Sequence, residues 1–276
     1  MNYRSLLIAS LILTVSSSIA QDRQFVRTYQ SSTLAKGVKD LEVWNTYRTG
    51  RQYFYNRLDQ RLEFEIGLTD KLQTALYLNA EHKTFASHLD TLGGIKDTSS
   101  SGVFSESGFS VSSEWKFKIS DAVANTIGSA LYLEFTVGTS EVEIEGKIIL
   151  DKRTDKNIFA FNIVGEYEMG FDVKKGETQI EKEMKAELDL AYMRMLNPYL
   201  GLGLEIRNHN VFVKDKLEHS ALFGGPTLFY SGDKFFIILN ALPQWTNLQV
   251  NEHNPNSLNL NEYQKIEARL LIGFNF

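Results

Sequence analysis

The end of the chain alternates residue by residue. Ile266, Ala268, Leu270, Ile272, Phe274 and Phe276 share one face of an extended segment. Lys265, Glu267, Arg269, Gly273 and Asn275 share the other, with Leu271 its one apolar member. Successive side chains of a β-strand point to opposite faces, so this segment carries one greasy face and one polar face. It is also long enough to cross a bilayer at a tilt, which takes about 9–11 residues.

The same period-two pattern returns along the chain. Leu62, Phe64, Ile66 and Leu68 oppose Arg61, Glu63 and Glu65, and Leu72, Leu76 and Leu78 oppose Gln73, Tyr77 and Asn79. Phe109, Val111, Trp115 and Phe117 oppose Ser110, Ser112, Glu114 and Lys116. Ile127, Leu131, Leu133, Phe135 and Val137 oppose Gly128, Tyr132 and Glu134. Val142, Ile144 and Ile148 oppose Glu143, Glu145 and Lys147, and Phe159, Phe161 and Ile163 oppose Asn162 and Glu166. Met184, Ala186, Leu188 and Leu190 oppose Glu183, Lys185, Glu187 and Asp189, and Leu200, Leu202, Leu204 and Ile206 oppose Gly201, Gly203, Glu205 and Arg207.

Three further segments are less regular: Leu41–Arg48, with Trp44 on the polar side; the Gly-rich stretch Ala221–Tyr230, which carries Pro226; and Phe235–Leu242, apolar on both faces. Together these make about twelve strands and predict an all-β fold, a transmembrane antiparallel up-and-down β-barrel.

The connections fit that reading. Thr69-Asp70-Lys71, Asn197-Pro198 and Ser231–Lys234 are short. Lys83–Ser107, Asn208–Lys216 and Thr246–Asn261 read as longer external loops, while Thr139-Ser140 is short on the external side. An even strand number places both ends of the barrel in the periplasm.

Composition agrees. The mean hydropathy of −0.23 is too polar for a bundle of membrane helices, but a barrel turns only alternate residues to lipid. The 276 residues include no cysteine, which excludes disulfides, Cys-ligated metals and a lipoprotein anchor. A net charge of −5 argues against a nucleic-acid partner. The start of the chain reads as a signal peptide: Arg4, an apolar run over Leu6–Val15, then Ser18-Ile19-Ala20 ahead of cleavage before Gln21. The expected division is residues 1–20 as signal peptide, 21–36 as a periplasmic N-terminal segment and 37–276 as the barrel.

Aromatic residues gather near strand ends and suggest two girdles at the lipid–water boundaries. Tyr47, Tyr53, Phe54, Tyr55, Tyr167, Phe171, Trp245 and Tyr263 fall toward the external rim. Trp115, Phe117, Phe159, Tyr192, Tyr199, Phe229, Tyr230, Phe235, Phe274 and Phe276 fall toward the periplasmic one.

The stretch Thr33–Gly37 through Leu41-Glu42-Val43-Trp44, then Arg61–Gln73 with its Gly67-Leu68-Thr69-Asp70 turn, and Leu76-Tyr77-Leu78-Asn79, resembles a group of uncharacterised bacterial outer-membrane barrels. They are similar to the transporter-like outer-membrane proteins found beside phenol-degradation genes. The resemblance is strongest over the first three strands and implies location and fold. It brings no substrate and no catalytic residues.

No enzyme is expected. No phosphate loop, HExxH or nucleophile elbow is present, and the neighbouring His219 and Ser220 point to opposite faces of a strand. No cofactor is expected either. Two classes remain: a porin-like channel or transporter for small solutes, and a filled barrel acting structurally or through its loops.

The polar faces favour the channel. Glu63, Glu65, Glu114, Glu134, Glu143, Glu145, Glu183, Glu187, Asp189, Glu205 and Glu267 all point inward in the predicted barrel, and acids outnumber bases there. A lone buried charge is costly, so these carboxylates predict a hydrated, negative lumen that prefers cations. All five histidines fall in external loops or outer strand ends, and His82, His219 and His253 each follow a glutamate, which makes them candidate rim ligands for a divalent cation. The expected partners are outer-membrane lipid, small solutes or cations, and the barrel-assembly machinery, which reads the C-terminal strand. Phe276 is the expected assembly signal. A chain ending at Asn275 should reach the outer membrane at reduced levels in fractionated cells while keeping the stability of whatever barrel does assemble.

Overall fold

In a computed structural model that describes residues 23–87, 102–174, 177–250 and 255–276, each alternating segment pairs antiparallel with the next. The twelve strands are β1 (Lys39–Thr49), β2 (Tyr55–Gly67), β3 (Leu72–Ser87), β4 (Gly102–Ser120), β5 (Gly128–Gly138), β6 (Glu141–Arg153), β7 (Asn157–Lys174), β8 (Glu177–Asn197), β9 (Leu200–Val213), β10 (Lys216–Ser231), β11 (Phe235–Asn247) and β12 (Ile266–Asn275). β1 pairs with β12 from Asp40↔Asn275 to Thr49↔Ile266, and the sheet closes on itself. The final residue completes this seam: the Phe276 N–H donates to the Lys39 carbonyl at 3.0 Å, and the Lys39 N–H donates to the Phe276 carbonyl at 3.2 Å.

The two faces sort as the alternation predicts. Leu76, Leu78, Phe109 and Val137 are each more than half exposed on the outside, which in a barrel of this kind is the lipid face. Glu63, Glu65, Glu114 and Glu267 are buried inside. Most of the aromatics predicted for girdles lie on the outer face, but Tyr55, Phe229 and Tyr263 are buried inside instead.

Two predicted loops contain strand among their described residues. Residues 83–87 pair with 102–106 in β3 and β4, from Lys83↔Glu106 to Ser87↔Gly102, so this hairpin runs well past the length a bilayer needs. Its polar composition reflects a ribbon standing in water. The stretch read as the loop Asn208–Lys216 reduces to Lys214-Asp215, whose φ values of 50° and 61° make a tight hairpin turn matched to strand twist. Between β4 and β5, Asp121 accepts the N–H groups of Ala124 and Val123 at 2.9 and 2.8 Å, and these bonds hold its carboxyl below the usual carboxylate range.

The largest departure is the N-terminal segment. The N-terminal segment, expected in the periplasm, lies inside the barrel over residues 23–34, and Arg23–Gln30 are buried apart from half-buried Arg27, while Ala35 and Lys36 are exposed. The strands make room for it. A Cβ on Gly67 would stand 2.2 Å from the Ala35 carbonyl oxygen, and one on Gly128 would stand 2.5 Å from the Ser31 hydroxyl. Phe25 and Val26 join an apolar layer with Trp44, Ile158, Met193, Phe229, Phe236, Ile238 and Leu271, all on inner faces. This layer accounts for the apolar exceptions on polar faces: Leu271, Trp44 and the two-sided β11 seal the lumen toward the end that carries Lys39 and Phe276.

Burying a side chain of this size contributes about 1.5–3 kcal/mol. Phe25→Ala should therefore loosen the N-terminal segment, raising amide exchange over residues 24–34 by roughly 30-fold, the equivalent of about 2 kcal/mol. The barrel should persist, seen as an unchanged mobility difference between heated and unheated protein on a gel.

Candidate functional site

The lumen divides into two levels. In the lower level the N-terminal segment is tied to strands around the ring. The Glu205 carboxylate accepts the backbone N–H groups of Val26, Arg27 and Thr28 at 3.2, 2.7 and 3.0 Å, and also bonds from Thr227 and Asn240 at 2.8 and 3.0 Å. Three successive N–H groups converging on one anion form a nest. Arg27 grips Glu267 through both oxygens, at 2.7 and 2.9 Å. Asn162 pairs with the Tyr29 backbone in both directions, at 2.6 and 3.0 Å. Ser31 N–H reaches Asp151 at 3.3 Å, and Leu34 N–H reaches Gln73 at 2.7 Å. Arg23 lies over the Trp44 and Tyr29 rings, 3.9 and 3.7 Å from Glu63 and Glu65.

Above this level lies a vestibule of about 720 Å³. Val26, Arg27 and Tyr29 form part of its floor, and its upper lining includes Arg51, Lys83, Glu106, Glu141, Glu168 and His219 near the hairpins at the end of the barrel opposite Lys39 and Phe276. Its charges are divided unevenly between walls, although Asp59 stands among the arginines and Lys147 and Lys185 among the glutamates. Arg48, Arg51, Arg57, Arg61 and Arg269 come from β12, β1, β2 and the β1–β2 connection. Glu141, Glu143, Glu145, Glu166, Glu168 and Glu183 come from β6, β7 and β8. In a closed ring of twelve, β12–β1–β2 stand diametrically opposite β6–β7–β8.

The eleven predicted lumen acids do point inward, but the structure gives them different surroundings. Glu63, Glu65, Glu205 and Glu267 hold the N-terminal segment. Glu114 accepts a bond from the Tyr77 hydroxyl, and Asp189 is buried on the inner face of β8. Glu134 accepts from Tyr132 at 2.5 Å and lies 3.5 Å from Arg61. Glu187 pairs with Arg207 and with His209 Nδ1. Glu145 meets Lys147 at 3.0 Å, and Glu183 stands 3.7 Å from Lys185. Of the eleven, Glu134, Glu143, Glu145, Glu183 and Glu187 line the vestibule, so the expected file of carboxylates through an open, hydrated lumen is interrupted at its lower level. The cause is the N-terminal segment, which brings its own arginines and backbone donors to the acids of that level.

Among the described residues, His82, His209 and His219 do not gather into a site. His82 bonds Ser107 at 2.9 Å, His219 meets the Tyr263 ring edge-on at 5.1 Å, and His253 lies outside the described residues, as does His88. His209 is buried in the lumen rather than at the rim, 2.5 Å from Glu187. Among the described residues, the groups able to offer three close metal ligands are all carboxylates.

Sequence reasoning missed the vestibule arginines as a group and the role of Arg23 and Arg27. The alternating pattern assigns an inner face to each strand but says nothing of a neighbour across the ring. The one available signal was Trp44, Leu271 and β11 placing apolar residues where water was expected.

Known structures share this architecture. The COG4313 outer membrane channel from Pseudomonas putida F1 superposes with a TM-score of 0.59 at 10% identity, covering 89% of this chain and 98% of that one. The NanC porin gives 0.52 at 11% identity over 86% of this chain and 100% of that one. The β domain of the Bordetella autotransporter BrkA gives 0.54 at 8% identity over 87% and 100%. At these identities the likeness is one of fold. No curated protein matches the sequence. The sequence does match, over residues 17–276, a family of unknown function, and the chain is a member of that family, DUF6662.

Proposed function

We propose that this protein is a bacterial outer-membrane channel for small polar solutes, held shut by its own N-terminal segment. The observation that carries this reading is the floor of the vestibule. A wide, charged entrance leads down to Val26, Arg27 and Tyr29, which belong to a separate strap of chain and not to the wall. A strap bound by hydrogen bonds, ion pairs and an apolar layer can leave without breaking any barrel strand. Likeness in fold to an outer-membrane channel and a porin supports this reading, as does the resemblance of the first three strands to transporter-like proteins. Signal cleavage before Gln21 would leave the strap as the new N-terminus. The partners in this reading are outer-membrane lipid and the assembly machinery, which takes up the strand ending in Phe276.

Departure of the strap also sets the selectivity. Arg23 and Arg27 leave with it, together with the N–H groups on Glu205. Glu63, Glu65, Glu205 and Glu267 then face water with fewer cations, so the opened path prefers cations. The second reading, a filled barrel that works without transport, draws on the same closed floor.

Conductance in planar bilayers separates the two. The full chain should conduct weakly. A chain lacking residues 21–36 should conduct several-fold more, with a reversal potential showing cation preference in a salt gradient. Arg27→Glu, which sets a third carboxylate against Glu205 and Glu267, should open the barrel in the same sense without shortening it. Refolded variants that pass no current would establish the filled barrel, and anion preference would overturn the electrostatic argument.

A further inference from the structure

The two charged walls of the vestibule face each other across an enclosed space, and each keeps groups that the protein leaves unused. On the basic wall, Arg51 stacks on Tyr55 at 4.2 Å, makes no ion pair among the described residues, and has a buried Nε with no hydrogen-bond partner. On the opposite wall, Glu141 and Glu143 make no ion pair among the described residues, while Lys185 beside them shows how an ammonium is received there. Its Nζ lies 2.5 and 2.6 Å from Glu166 and Glu168. A mobile anion would be drawn to one side and repelled from the other, and a cation the reverse. A solute carrying both charges satisfies both walls at once.

The barrel fixes the spacing. Twelve strands about 4.8 Å apart and tilted by about 40° close into a ring roughly 24 Å across between backbones. Arginine and glutamate side chains together occupy about 11 Å of that, leaving roughly 13 Å; an extended tripeptide at about 3.3–3.6 Å per residue spans most of it.

We propose that the vestibule is a binding site for a short zwitterion, oriented with its anionic end on the Arg51 wall and its ammonium on Glu141 and Glu143. The vestibule's volume of about 720 Å³ admits such a molecule with its water. The proposal rests on the vestibule being the solute entrance of the channel reading, but it concerns binding to the closed barrel and needs no current to flow.

The test is calorimetric titration of the refolded full chain in detergent at low ionic strength. The probes are triglycine, its N-acetyl form, which keeps only the anion, and its C-terminal amide, which keeps only the cation. Triglycine should bind at least tenfold more tightly than either capped form. The double variant Glu141→Gln and Glu143→Gln should bind triglycine no better than the wild type binds N-acetyl-triglycine, with affinity for N-acetyl-triglycine itself unchanged. Arg51→Gln should weaken triglycine and spare the amide, an independent check should the double variant fail to refold. Absent binding of triglycine, or equal binding of all three probes, overturns the proposal. Triglycine selectivity without conductance in the strap-deleted chain would defeat only the channel reading, and conductance without selectivity only this one.

Discussion

Everything in this structure depends on the pairing of β1 with β12. Inside lipid no water is available to an unpaired N–H or C=O, and an open sheet edge would leave a row of them. The seam from Asp40↔Asn275 to Thr49↔Ile266 removes that edge. Closure has a price: it encloses a lumen whose inward side chains can no longer be chosen for lipid and must be satisfied by water, by each other or by something placed inside. In a ring of twelve strands the space is too wide for side chains alone to fill, as they do in the smallest barrels. The chain resolves this unevenly. One level is packed with its own N-terminal segment and the other is left to water and opposed charges.

The packed level shows how inward carboxylates are made tolerable. Glu205 is met by backbone N–H groups and Glu267 by Arg27, Arg48 and Gln264. Losing one partner from such a site leaves a buried charge exposed to no solvent, which costs far more than the contact itself contributes. The same groups that would line an ion path when wet therefore anchor the strap when dry, and the two states of the lumen use one set of acids.

Much of the barrel was legible in the sequence because its governing rule is local. Alternation over about ten residues assigns a strand and its lipid face, and Leu62, Phe64, Leu76 and Leu78 could be placed outside from their spacing alone. The inward direction of Glu63, Glu65 and Glu205 followed from the same rule. Their partners did not, since Arg23 and Arg27 precede the alternating region and reach strands that are remote in the chain. Strand ends were legible only where a turn residue marked them. β3 and β4 continue through a polar ribbon that alternation between lipid and lumen does not govern, and Lys214-Asp215 turns without glycine or proline. The tally of acids over bases omitted Arg23 and Arg27 and carried no information on which wall each charge would occupy.

The strap also constrains the order of events during folding. Arg27 and Glu267 are 240 residues apart, and the strap's ligands come from β12 on one side of the seam and from β2 and β3 on the other. Its full set of binding groups exists only once the first and last strands have met. Complete seating of the strap therefore requires the closed ring.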